Sequence, residues 1–219
     1  MGVYQDLKKF QKTAAEDDYV TYYFYRTLSR PLSAIIINMG LNTFFASALT
    51  IILDILAMYL IYEGFFYVAG VLVILAFVFD CCDGEIARYH KALGKMKKER
   101  MYGAYLDETL GVVGFYGITL FLGYAINQQL IAIIAGFGLL MVNYTCYVAK
   151  DLLPGKQQLA ENFEKRFFKN LKGRIGFSGG LQRIVLALAV FFQSWELLLI
   201  FAVLINAFWI TKFWLYRNQ

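Results

Sequence analysis

Six apolar stretches dominate the chain, approximately Leu41–Tyr62, Phe65–Ile86, Gly103–Ala125, Gln129–Ala149, Leu181–Gln193 with its flank, and Leu197–Leu215. A helix needs roughly 20 apolar residues to cross a hydrocarbon core, so the pattern predicts an all-α, polytopic membrane protein with six transmembrane helices. Ahead of them, YVTYYFYRTLSRPLS places Tyr22, Tyr25, Arg26 and Ser29 at helical spacing beside an aromatic face. That spacing predicts an amphipathic helix lying on the membrane surface, with tyrosines at headgroup depth and Arg26 and Arg30 towards phosphates. Pro31 is expected to break or restart it. The chain thus divides into an N-terminal interfacial segment, residues 1–40, and a membrane domain, residues 41–219. Between spans, HKALGKMKKERM reads as a solvated basic loop, QQLAENFEKRFFKNL as a second surface helix, and GRIGFSGGLQR as a glycine-rich turn entering span five.

Charge adds an orientation to this picture. Lys and Arg total 21, and none falls at Glu63-Gly64, around Asn127-Gln128 or at Ser194-Trp195-Glu196. Basic residues flanking spans stay on the cytoplasmic side, so these three connections lie outside and both termini lie in the cytoplasm. At 59% hydrophobic residues the composition exceeds the roughly 45–50% of soluble domains. The net charge of +5 then reflects topology and attraction to anionic lipid headgroups or phosphorylated substrates, and a nucleic-acid partner is not expected. The first forty residues carry acids, bases and many tyrosines, unlike a cleavable signal peptide. Cys81, Cys82 and Cys146 fall near cytoplasmic ends of spans and read as small helix residues without disulfides.

The candidate chemistry lies at the end of the second span, in DCCDGEIAR, residues 80–88. Asp80 and Asp83 are three apart and share a helix face, with Gly84 and Ala87 beside them. The next span returns from the same side through GAYLDETLG, where Gly103 and Asp107 share a stripe. Asp80, Asp83 and Asp107 are therefore expected to converge near the cytoplasmic surface. Three such carboxylates without a partner repel and take up protons. A hard divalent cation, Mg²⁺ or Mn²⁺, resolves the conflict, since it prefers oxygen ligands and bridges carboxylates to substrate phosphates. The competing reading pairs these acids with Arg88 and the basic loop.

These residues resemble the signature of the CDP-alcohol phosphotransferases, D-x2-D-G-x2-A-R-x8-G-x3-D-x3-D. The wording DGEIAR is similar to that of members using soluble polyol or inositol phosphates. The resemblance extends to the six spans, the preceding interfacial helix with its RPLS turn, and the segment entering span five. It implies Mg²⁺-dependent attack of an acceptor hydroxyl on the β-phosphorus of a CDP-linked alcohol, with release of CMP, in a homodimer. By position, Asp80, Asp83 and Asp107 would hold metal and diphosphate, and Gly84, Ala87, Arg88 and Gly103 would line the cytidine pocket. Asn42 matches the Asn of a Pro-Asn-x-x-Thr element, in which Leu41 and Phe45 replace the other two residues, and is a candidate nucleotide contact.

The chain departs from the pattern twice. Fourteen residues separate Arg88 from Gly103, which lengthens a loop at little entropic cost. Gly111 stands where the pattern has its fourth aspartate, the presumed general base. Gly103, Gly111 and Gly114 share a small-residue stripe with Asp107, which predicts a close helix contact there. An acceptor proton would then pass to Glu108, to Glu85, to water or to a substrate phosphate. Metals and positioning supply most of the rate in phosphoryl transfer.

Arg174 and Arg183 are candidates for an acceptor phosphate through bidentate hydrogen bonds, or else anchors of the positive-inside pattern. Asp54, deep in the first span, is expected to be a hydrogen-bonded structural residue. The favoured activity is transfer of a phospho-alcohol from a CDP-alcohol to a hydroxylated acceptor, a polyol or inositol phosphate or a lipid, at a metal site facing the cytoplasm. The alternatives are a phosphatidyltransferase using CDP-diacylglycerol, a silent nucleotide-binding subunit, and a transporter with an acidic ion site.

Overall fold

The structure, a computed structural model, describes residues 2–12, 17–94, 100–152 and 179–217, without the side chains of 100–110, 145–152, 212 and 215–217. The described residues are helical and contain no strand. A short α1 (Val3–Phe10) precedes a π-helical stretch (Thr21–Tyr25) that runs directly into α2 (Arg26–Asn38). Six longer helices follow: α3 (Thr43–Tyr62), α4 (Phe66–Ala92), α5 (Arg100–Ala125), α6 (Gln129–Leu152), α7 (Gly179–Phe192) and α8 (Trp195–Arg217). They coincide with the six apolar stretches.

Helix ends follow local chemistry. Gly40 and Gly64 adopt φ of +73° and +83°, which a residue without Cβ does freely. Each lets the following amide close onto the helix it leaves, Leu41 onto the Ile36 carbonyl at 3.0 Å and Phe65 onto the Leu60 carbonyl at 2.8 Å. One more carbonyl of each helix end is thereby satisfied, and the chain reverses within a few residues. Pro31 lies inside α2 and does not break it, contrary to expectation. The helix simply runs on through the proline.

Packing closes the six long helices into a ring. Contacts run from α3 to α4, α4 to α7, α7 to α8, α8 to α6, α6 to α5, and α5 back to α3. The interior is a continuous apolar cluster that includes Ile61, Val73, Ile118, Leu122, Leu186, Phe201 and Ile205. Glycine tightens the α4–α7 crossing, where a Cβ on Gly70 would meet the Ala187 carbonyl oxygen at 3.0 Å. Large apolar side chains such as Phe44, Ile52, Ile55 and Leu130 are exposed on the outside, as suits a chain whose solvent is lipid. Among the described residues α3 and α4 are long and apolar enough to cross a membrane, and shorter apolar lengths occur in α5 to α8.

The N-terminal elements do not lie free on a surface. Helix α2 packs on α4, and α1 touches both. Arg26, expected to face lipid phosphates, is buried instead, since its Nε donates to Asp17 Oδ2 at 2.9 Å and its Nη1 to the Cys81 carbonyl at 3.1 Å. Only Arg30, stacked 5.6 Å from the Tyr22 ring centroid, keeps a partly exposed position. Burial pushes the Tyr25 phenol well above its ordinary pKa, so it stays neutral at this packed junction.

Candidate active site

The last three turns of α4 are polar, and the 3.6-residue repeat sorts their side chains by direction. Asp80, Asp83, Gly84 and Ala87 share one side and Glu85 the other. Asp83 is buried beside α3, and its Oδ2 accepts a hydrogen bond from Ser47 Oγ at 3.0 Å. Glu85 turns towards α1 and α2. Its Oε1 accepts from Ser29 Oγ at 2.7 Å, Gln11 Nε2 at 3.0 Å and Arg26 Nη1 at 3.3 Å, and its Oε2 accepts from Ser33 Oγ at 2.7 Å. Four donors on one carboxylate make Glu85 a fixed strut, which removes it from the candidates for a mobile proton acceptor.

Asp80 borders two cavities. The larger, about 400 Å³, lies inside the ring and is walled by α4, α5, α6 and α7 through Phe77, Asp80, Gly111, Phe115, Asn143, Gln182 and Arg183. The smaller, about 260 Å³, lies towards the N-terminal segment, between Lys12, Asp17, Thr21, Asp80, Gly84 and Gly179. Phe77, Asp80 and Gly179 are common to both. A carboxylate thus stands at the join of two spaces that small molecules could fill.

Arg88 reaches back over Gly84, where an added Cβ would lie 3.3 Å from its Nη1. Its Nε and Nη2 are buried without a hydrogen-bond partner among the described residues. Buried guanidinium donors are costly to leave unpaired, so this corner is suited to an anionic or acceptor-rich ligand.

At the opposite wall of the large cavity, Arg183 meets Asp54 as a fork, Nη1 to Oδ1 at 2.7 Å and Nη2 to Oδ2 at 3.1 Å. The guanidinium carbon stacks 4.2 Å from the Phe115 ring centroid. Asp54 therefore has the structural, hydrogen-bonded role expected of it. The terminal nitrogens of Arg183 that were expected to bind a phosphate are committed to Asp54, and only Nε, buried and unpartnered among the described residues, remains.

The other expected residues divide as follows. Gly84 and Arg88 are side by side on α4, and Ala87 is on the Asp83 side of the same helix. Asn42 is exposed and caps α3, its Oδ1 accepting from the Phe45 amide at 3.3 Å. Gly103, Asp107 and Glu108 fall on α5, but their side chains, like the whole of Arg174, lie outside the described residues. Gly111 is not a close helix contact among the described residues, because an added Cβ would meet none of them within 4 Å; its position opens into the large cavity. Gly114 is the close contact of that stripe, with the Asp54 carboxylate packed against it. Cys81 and Cys82 are buried and free.

For a metal, the described residues offer the two carboxylates Asp80 and Asp83 and no group of three or more His, Cys, Asp or Glu side chains. Two carboxylates with substrate phosphates is a donor set that suits Mg²⁺. The residues that pattern reading missed are Asn143 and Gln182 in the cavity wall and the Asp17–Arg26–Glu85 network. Asn143 did carry a signal, as an amide inside an apolar span.

A family model described as CDP-alcohol phosphatidyltransferase matches residues 42–214. Among curated proteins no match was found.

Proposed function

Because the chain belongs to the CDP-alcohol phosphatidyltransferase family, whose members transfer a phospho-alcohol from a CDP-alcohol and generally use a divalent metal, we propose that it catalyses this transfer to a hydroxylated acceptor, with release of CMP. In the proposed topology all six long helices cross the membrane, residues 1–40 lie on the cytoplasmic face, both termini are cytoplasmic, and the protein is a homodimer.

Asp80, Asp83 and Asp107 are the proposed holders of Mg²⁺ or Mn²⁺, which when bound would neutralise the diphosphate and polarise the phosphorus under attack. Gly84, Ala87, Arg88 and Gly103 are proposed to form the nucleotide side. Arg88 supplies its unpartnered donors to the nucleotide, and Gly84 leaves space for the approach. The acceptor oxygen bonds to the β-phosphorus, the bond from that phosphorus to the bridging oxygen breaks, and CMP leaves with the bond's electrons. Glu108 is the chain's own candidate for the acceptor proton. Arg174 is proposed to contribute to the acceptor side, with Arg183 limited to its Nε.

The observation that carries this reading is the position of Asp80 between two cavities, one reaching Gly84 and the other open inside the ring. It suits a reaction in which donor and acceptor meet at one metal-bearing point. The test is CMP release by purified protein with Mg²⁺ or Mn²⁺ and a panel of CDP-alcohols, CDP-diacylglycerol included. Asp83→Asn is expected to abolish release while the protein elutes and melts as the parent does.

Gly111 favours a second reading, a subunit that binds the nucleotide without turning it over. Retained CMP binding with no release for any donor and acceptor would select it.

A further inference from the structure

The smaller cavity draws part of its wall from the N-terminal segment, through Lys12, Asp18 and Thr21, and part from Gly179 and Gly180 of α7. Thr21 is 4% exposed. Its amide donates to Asp18 Oδ1 at 2.9 Å, whereas its hydroxyl has no hydrogen-bond partner among the described residues. An unpaired hydroxyl on a buried residue is costly, and this one lines a space that a ligand can enter. Helix α7 begins at Gly179, and the first amides of a helix lack intrahelical partners and carry partial positive charge. Gly180 lies so close to Thr21 that an added Cβ would collide with the hydroxyl. A free hydroxyl and the positive end of a 14-residue helix therefore meet at one point, a combination that suits an anion.

Lys12 supplies the cation. It makes no ion pair or hydrogen bond with a described residue, and its neighbour Gln11 is anchored to Glu85 Oε1 at 3.0 Å, which holds the lysine beside the cavity. The other charges of the wall are engaged. Arg26 pairs with Asp17 at 2.9 Å and with Glu85 at 3.3 Å, Asp18 gives one oxygen to the Thr21 amide, and Asp80 belongs to the proposed metal set. At about 260 Å³ the space is smaller than pockets for drug-sized ligands and suits one phosphate with part of its carrier.

We propose that Lys12 and Thr21 are substrate-contact residues, and that the smaller cavity seats a phosphate group of a substrate between the Lys12 ammonium, the Thr21 hydroxyl and the first amides of α7. The identity of the substrate rests on the transfer reaction proposed above, and both residues lie outside the DGEIAR stretch. A nucleotide donor and a phosphorylated acceptor present the same phosphate oxygens, so the experiment separates them.

Titration calorimetry in micelles with Mg²⁺ follows CMP, glycerol 3-phosphate, myo-inositol 1-phosphate and inorganic phosphate on the parent, Lys12→Gln, Lys12→Arg, Thr21→Val and Asp18→Asn, each checked for an unchanged melting temperature. Lys12→Gln and Thr21→Val are each expected to weaken binding of one phosphorylated substrate about tenfold, and Lys12→Arg to retain it. Asp18→Asn keeps the oxygen that caps Thr21 and removes a negative charge, so it is expected to tighten the same ligand. A loss confined to CMP assigns the phosphate to the donor, and a loss confined to the two monophosphates assigns it to the acceptor. Unchanged affinities in Lys12→Gln and Thr21→Val would overturn the inference. Weaker binding in Asp18→Asn overturns it too, since an anion gains from the loss of that charge, and an effect on inorganic phosphate alone removes the assignment to a substrate. CMP release by the parent is measured separately, so a protein that binds these ligands without turnover loses the transfer reading and keeps the two contacts.

Discussion

Replacing Arg183 by Met is expected to destabilise the fold by about 3–5 kcal/mol, the range for removing one partner of a buried ion pair. Both side chains are 3% exposed, so solvent screens the pair little. Both N···O distances, 2.7 and 3.1 Å, are hydrogen-bonding, and the stacking on Phe115 is lost too. A loss of about 3 kcal/mol lowers the folding constant roughly a hundredfold, at about 1.4 kcal/mol per factor of ten. Asp54→Asn retains one acceptor oxygen and is expected at the lower end of that range. The double variant holds no uncompensated buried charge and should return to within about 1 kcal/mol of the parent. Reversible unfolding in mixed micelles, followed by far-ultraviolet circular dichroism, gives all four corners of the cycle. Ordinary polar contacts between membrane helices average about 0.6 kcal/mol in such cycles. A coupling no larger than that, or a double variant as unstable as the two losses added, would refute the reasoning.

The two glycines of α5 should separate in the same assay. Gly114→Ala drives a methyl into the Asp54 carboxylate and should cost about 1–3 kcal/mol, whereas Gly111→Ala meets open space and should stabilise by up to about 1 kcal/mol through helix propensity. Ser33→Ala removes a 2.7 Å hydrogen bond to Glu85 and should cost about 1.5–3 kcal/mol; a change under about 0.5 kcal/mol in unfolding free energy would show that Glu85 is not the strut described. Gly111→Asp places a carboxylate in the cavity that Asp80 borders and should raise CMP release about 10²–10⁴-fold if it serves as a general base. An unchanged rate would show that the proton already has a sufficient acceptor.

The helices were legible because their cause is local. Twenty apolar residues bounded by Gly64 or Asn127 specify a helix and its end whatever the neighbours are. Asp54 was legible for a related reason, since a carboxylate deep in an apolar span needs a partner wherever it sits. What sequence did not reveal was which partner. Asp54 and Arg183 are 129 positions apart, and nothing in either segment announces the other. The same gap misplaced Arg26, whose spacing beside tyrosines fits a lipid surface equally well until Asp17, Cys81 and Glu85 are seen around it. Gly111 and Gly114 show the limit most sharply. They lie three apart on one stripe, yet the first faces a void and the second a carboxylate, a difference set by where α3 crosses α5.

That crossing also links the structural pair to the chemistry. Gly114 lets α3 approach closely enough for Asp54 to reach across and take both terminal nitrogens of Arg183. A guanidinium held this way has both terminal nitrogens committed and cannot swing to a phosphate. On the other side of the cavity Glu85, held by Ser29, Ser33, Gln11 and Arg26, fixes the rotation of α4 and with it the directions of Asp80 and Asp83. Among the described residues, Asp54 is thus paired with Arg183, and Glu85 with Arg26. Weakening the Glu85 strut should therefore weaken nucleotide binding, because the residues proposed to hold metal and nucleotide, Asp80, Asp83, Gly84 and Arg88, turn with α4. Ser33→Ala provides the case: a severalfold loss of CMP affinity in Mg²⁺ is expected, read by titration calorimetry, and an unchanged affinity would mean that Glu85 does not set the rotation of α4.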